Sequence, residues 1–246
     1  MAGFPEDGLQ NLHQGRGHFW FRHRNMVIER SLRRALGSSA RAKVLELGCG
    51  SCLVGGWLVQ VGFDIVASDR DSAFIDFLPP GVSPLVFDLT RDDVLPDQFG
   101  TFDAVVLGDV IEHLQDPVSA LRRARDFLRP GGCVVVTVPA LQSLWSEYDE
   151  QSMHVKRYER DMLQEELREA GFFESRVNYF MFIPALLLYV QRRLVLNKRS
   201  ARLGKESLRI SPLLNRIMAG AMTIEGRAMK GGTPLGSSII ATGTKP

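Results

Sequence analysis

Short runs of consecutive Val, Leu and Ile, separated by stretches of helical length, constrain this chain more than any other feature. Lys43-Val44-Leu45-Glu46-Leu47, Asp64-Ile65-Val66-Ala67-Ser68, Pro84-Leu85-Val86-Phe87, Phe102-Asp103-Ala104-Val105-Val106-Leu107 and Cys133-Val134-Val135-Val136-Thr137-Val138 each have strand length. Strands that are continuously apolar, rather than alternating, are buried on both faces, as in a parallel sheet covered by helices. Helices are predicted over residues 53–61, 116–128 and 159–170; Arg129-Pro130-Gly131-Gly132 stops the second and Gly171 the third. Residues 172–180 and 237–242 read as sixth and seventh strands. The pattern specifies an α/β fold with a doubly wound, mostly parallel, seven-stranded sheet.

Around that core the chain divides into four parts. Residues 1–40 form an N-terminal helical lid, with Val27, Ile28, Leu32, Ala35 and Leu36 at helical spacing. Phe19, Trp20 and Phe21 fit either plain packing or closure over a ligand. Residues 41–180 make the core, 181–233 an insertion and 234–246 the last strand. Apolar residues at 45% and charged residues at 24% exclude a mainly disordered chain. No apolar run reaches the length of a membrane span, residues 1–10 lack the apolar stretch of a secretory signal, and three cysteines form no even disulfide set. A cytoplasmic protein is expected.

Glu46-Leu47-Gly48-Cys49-Gly50 lies where the first strand meets the first helix, and glycines there let the backbone turn tightly against a ligand. Asp69, at the tip of the second strand, is placed to accept ribose hydroxyls. A dinucleotide fingerprint would need glycine at Leu53, so that pattern fails.

Taken in order, Glu46 to Gly50, Asp69, Phe87-Asp88-Leu89, Gly108-Asp109-Val110-Ile111-Glu112-His113 and Leu128-Arg129-Pro130-Gly131-Gly132 resemble the motifs of class I S-adenosylmethionine-dependent methyltransferases. The resemblance covers roughly residues 41–180 and the final strand, and implies a Rossmann-like fold with S-adenosylmethionine as cofactor. It assigns the methionine end of the cofactor to Glu46, Gly48 and Gly50, the ribose to Asp69, the adenine amino group to Asp88, and the lining between cofactor and acceptor to Gly108 and Asp109. Cys49, Arg70 and Leu89 adjoin these positions and are counted with them. One departure is visible: a third glycine, frequent in the family two positions after Gly50, is Cys52 here.

Two histidines are candidate catalytic residues. His113 follows the fourth strand in a Glu-His pair, and His154 follows the fifth in His154-Val155-Lys156-Arg157-Tyr158, on the edge where doubly wound folds bind ligands. A neutral imidazole suits abstraction of a hydroxyl proton, which makes His154 the candidate general base; the alternative is that it orders its loop. Orientation for in-line attack could carry most of the rate without any base. No metal site is expected. Cys49 and Cys52 are taken up by the glycine turn, and His13, His18 and His23, five apart, cannot share one helix face.

The insertion carries ten Lys/Arg against two acids between residues 181 and 233, a net +8 in a chain whose total is +2. That asymmetry is not the footprint of a nucleic-acid binder. Residues 183–196 and 213–229 read as helices, the second rich in methionine. Three readings stay open: peripheral contact with an anionic membrane, a cap over a greasy acceptor, or a homodimer contact. The expected activity is methyl transfer to an oxygen, less readily a nitrogen or carbon, of a small and hydrophobic or lipid-linked biosynthetic acceptor. A non-catalytic cofactor-binding or membrane-associated domain of the same fold is the alternative.

Overall fold

A computed structural model describes residues 17–37, 41–91, 97–194, 210–228 and 232–246. The elements run α1 (Phe19–Leu36), β1 (Lys43–Leu47), α2 (Leu53–Gln60), β2 (Asp64–Asp69), β3 (Val82–Val86), β4 (Phe102–Gly108), α3 (Pro117–Phe127), β5 (Leu128–Pro139), α4 (Glu147–Gln151), α5 (Arg160–Glu169), β6 (Phe173–Phe180), α6 (Phe182–Leu194), α7 (Pro212–Ala228) and β7 (Ser238–Thr244). The strands form one sheet in the order β3-β2-β1-β4-β5-β7-β6. Neighbours are parallel except β7, which runs antiparallel to both β5 and β6. This is the seven-stranded, Rossmann-like sheet that the apolar runs specify, with helices before it and inserted ahead of the last strand.

The continuous apolar strands serve two cores at once, because successive side chains point to opposite faces. Leu45, Leu47, Val105, Leu107, Val134 and Val136 pack under α3 and α5 with Leu121, Phe127, Leu163 and Leu167. Val44, Ala104, Val106, Cys133 and Val135 pack against Ile28 and Leu32 of α1, Val54 and Leu58 of α2, and Met218 and Met222 of α7. The N-terminal helix is therefore a covering helix of the sheet along its second half. Phe19, at the start of α1, also belongs to that core, and Arg24 in the first half of α1 reaches the residue after β4.

Some boundaries differ from the expected ones. β5 starts at Leu128, because Leu128 pairs with Phe102 before a bulge and regular pairing resumes at Ala104–Cys133. The Pro-Gly-Gly turn is thus absorbed into an irregular strand entrance. The polar stretch after Pro139 contains the short helix α4, whose Ser146 and Asp149 form a reciprocal capping box. Residues 1–16, including His13, and 195–209 within the insertion lie outside the described residues.

Candidate active site

The expected cofactor residues converge on the carboxyl ends of β1 to β4. Glu46 points from β1 toward α2, where its Oε2 accepts the Gly55 amide at 2.8 Å and the Cys52 thiol at 3.6 Å. Burial lifts its pKa to about 7, against the opposing pull of the Gly55 amide and Arg24. Gly48 turns with φ +70°, and a Cβ there would lie 2.8 Å from Val110; only glycine closes this turn without strain. The Gly50 amide donates to Asp69 Oδ2 at 3.0 Å, so the turn and the tip of β2 hold each other. Cys49 does not face the turn's open side: it is buried with Cys52, Ala67 and Phe74, and its thiol pKa is pushed up by the hydrogen bond with Cys52 and by burial. Both cysteines are free.

After β3, Asp88 Oδ1 accepts the Thr90 amide at 2.9 Å and hydroxyl at 2.7 Å. Burial works against ionisation here, but these bonds and Arg70 outweigh it and hold Asp88 below the usual carboxylate range. Arg70 is exposed beside Asp69, and Leu89 packs against the main core. The donor set fits a nucleoside with a charged amino-acid tail: carboxylates at two strand tips and a Cβ-free turn at a third. Gly108 ends β4, with a Cβ position 3.2 Å from Val54.

Asp109 follows with φ +59°. Thr137 donates to its Oδ1 at 2.9 Å and Arg24 to its Oδ2 at 2.6 Å. Arg24 is buried and lies over the Phe21 ring, and Asn25 donates to the Leu53 carbonyl at 2.8 Å. The first half of α1 thus closes over β4 through polar contacts, which motif reading alone did not find.

His113 and His154 meet with ring centroids 4.8 Å apart. The Val155 amide donates to the Glu112 carbonyl at 2.7 Å and draws the loop after β5 onto the turn after β4. His154 Nδ1 is 2.9 Å from Asp149 Oδ1. Asp149 is fully buried and also accepts from Arg157 Nε at 2.8 Å, the Ser146 amide at 2.8 Å and the Ser146 hydroxyl at 2.9 Å. Burial opposes its ionisation, yet the His154 and Arg157 bonds win and bring its pKa to about 2. Arg157 further donates to the Ala140 carbonyl, pinning the loop to the end of β5. Asp149 is the functional candidate that sequence reading missed; a carboxylate five residues before His154 was the available signal.

His113 is held neutral, its pKa lowered to about 4 by burial and then by His154. Glu112 is fully buried, neither carboxylate oxygen has a hydrogen-bond partner among the described residues, and burial raises its pKa well above normal. Donor atoms of Glu112, His113 and His154 all lie within 4.8 Å of one another. Cysteine and N-terminal histidine spacing could not reveal that set, since His154 comes from a different loop. Of the N-terminal histidines, His18 caps α1 by accepting the Trp20 amide and His23 packs by Phe180, consistent with separate faces.

Sheet order, turn and strand-tip acids together define a class I S-adenosylmethionine-dependent methyltransferase. A family model described as a methyltransferase domain matches residues 20–173, more than half of the chain, and the chain belongs to that family. It is similar to a ubiquinone biosynthesis O-methyltransferase of Xanthomonas axonopodis, 31% identical over 98 residues, covering 38% of this chain and 41% of the relative. The match spans about two-fifths of the length of such curated relatives. Among solved structures, a possible histamine N-methyltransferase from Thermotoga maritima aligns with TM-score 0.57 at 18% identity, over 92% of this chain and 93% of that one. A phosphoethanolamine N-methyltransferase from Haemonchus contortus, in complex with S-adenosyl-L-methionine, aligns with TM-score 0.57 at 17% identity, over 90% of this chain and 52% of that one. At these identities the likeness concerns the fold. Among the described residues no helix is long and apolar enough to cross a membrane.

Proposed function

We propose that the chain methylates a hydroxyl oxygen of a small, hydrophobic acceptor, with Asp149 and His154 handling the proton. The observation that carries this reading is the 2.9 Å contact between His154 Nδ1 and Asp149 Oδ1. A buried, ionised Asp fixes the imidazole's orientation and tautomer, leaving Nε2 as the acceptor for a proton. The similarity to ubiquinone biosynthesis O-methyltransferases supports oxygen as the target.

Bound S-adenosylmethionine supplies a methyl group on a sulfonium, already a good leaving group. Glu46, Gly48 and Gly50 hold its methionine end, Asp69 its ribose hydroxyls and Asp88 its adenine amino group. Arg24 and Asp109 draw α1 over the end of β4, which excludes water from the reacting face. His154 takes the acceptor's hydroxyl proton, and Asp149 stabilises the imidazolium that results. Neutral His113 packs edge-on against it and orders the ring.

The test is calorimetric titration of S-adenosylmethionine, followed by transfer of labelled methyl to paired hydroxyl and amine acceptors of equal hydrophobicity. Binding with transfer to the hydroxyl member, slowed about 10–100-fold in His154→Gln, is the expected result. Transfer to the amine alone, or binding without transfer to either, would overturn it.

A further inference from the structure

The insertion's helices are tied into the fold by their inward faces. Glu225, buried on α7, accepts the first amides of α6, from Phe182 and Ile183, at 3.0 Å each. Met218 and Met222 of α7 enter the core beside Ile28 and Leu32. Asn215 accepts the Phe19 amide and donates to the Gly17 carbonyl, both at 2.8 Å, and Arg30 donates to the Gly226 carbonyl at 3.0 Å. The insertion is thus fastened to α1, and its outward faces are what remain.

Those faces are apolar with basic edges. On α7, Leu213, Ile217 and Ile224 are 57–68% exposed, and at about 100° per residue they fall on one stripe, with Arg216 and Arg227 along its flank. On α6, Leu186, Leu187 and Val190 are 44–53% exposed and share a face. Exposed Leu and Ile at this density are unusual on a surface that stays in water. Among the described residues neither helix is both long and apolar enough to cross a membrane. They match elements that lie in the interface, apolar stripe down and arginines at phosphate level.

We propose that α6 and α7 dock the protein on an anionic phospholipid surface. Charge argues for this partner over a second copy of the chain: Arg216 and Arg227 are exposed beside the α7 stripe while the one acid of that helix, Glu225, is buried, so face-to-face pairing would set like charges together, whereas lipid phosphates neutralise them. The proposal is independent of the methyl acceptor, since it rests on the outward faces alone.

Vesicle flotation of the full chain tests it, with neutral phosphatidylcholine vesicles against vesicles containing about one-third phosphatidylglycerol at about 0.1 M salt. The wild type is expected to float with the anionic vesicles only. Leu213→Glu/Ile217→Glu/Ile224→Glu is expected to weaken binding at least about tenfold, and Arg216→Glu/Arg227→Glu to weaken it and flatten its salt dependence. These positions are exposed, and circular dichroism with S-adenosylmethionine titration verifies each variant's fold. Failure of the wild type to float, or flotation of the triple variant like wild type, overturns the proposal. A wild-type dimer that the triple variant converts to monomer, with no vesicle binding by either, overturns it in favour of self-association.

Discussion

Arg24, on the helix that precedes the sheet, donates from Nη1 to Asp109 Oδ2 at 2.6 Å, joining α1 to the residue just after β4. Arg24 is almost wholly buried while Asp109 keeps 29% of its side chain exposed, so the pair seals one side of the site and leaves the other open. Arg24→Met keeps the bulk and removes the charge. It is expected to cost about 1–3 kcal/mol of stability, seen as a lowered Tm, and to slow methyl transfer about tenfold or more. Unchanged Tm and turnover would show that the contact is incidental.

Asp69 holds the glycine turn and presents its carboxylate at the tip of β2. Asp69→Ala is expected to weaken S-adenosylmethionine binding by about 10–100-fold, the range for losing hydrogen bonds to a charged acceptor. Calorimetry measures this directly. Equal affinity in the two proteins would remove Asp69 from the cofactor site.

Asp149 and His154 are expected to act as a unit. Each of Asp149→Asn and His154→Gln should lower kcat about 10–100-fold with little change in KM for S-adenosylmethionine, and the double variant should lose little more than either single one. Losses that multiply in the double variant would mean independent roles.

Buried His113 gives a stability slope in mild acid. Its pKa is about 4 in the fold against 6.5 ordinarily. Between those values the unfolded chain binds a proton that the folded chain does not, so stability rises with pH through the window and is lost as pH falls from 6.5 toward 4. His23, also brought to about 4 by burial and then Arg30, adds to the same slope. His113→Asn should flatten the decline in Tm across that window, with an upper bound of about 3 kcal/mol. Parallel Tm curves for the two proteins would refute this.

Gly55 sits in α2, where alanine would ordinarily stabilise a helix by about 1 kcal/mol. Here a Cβ would lie 2.6 Å from Glu46 Oε2 and 2.9 Å from Cys52 Sγ. Gly55→Ala is therefore expected to lower Tm and weaken cofactor binding, because Glu46 must leave the Gly55 amide. A raised Tm would show that the strand acid moves aside freely.

Local readings held where one physical cause dominates. All five apolar runs became strands, four of them buried in the sheet interior and the third forming the half-exposed edge strand β3, and Gly48 occupies a left-handed turn that its residue type anticipates. They slipped where pairing overrules local chemistry: Pro130-Gly131-Gly132 reads as a turn, yet Leu128 pairs with Phe102 and extends β5 around it. Helix α4 escaped notice because its stability comes from the Ser146–Asp149 capping box and the buried bonds of Asp149, not from apolar periodicity.

The sequence by itself determined the layered α/β architecture and the strand tips where the residues proposed to hold the cofactor sit, since both follow from short-range pattern: apolar run length, turn glycines and acids near the strand ends. Tertiary structure alone decided which distant groups meet. Arg24 reaches Asp109, Asp149 orients His154, and Glu225 starts α6. Each of these joins residues whose own neighbours give no hint of the partner. Their worth comes from burial, where a carboxylate away from water must find its donors wherever the fold brings them.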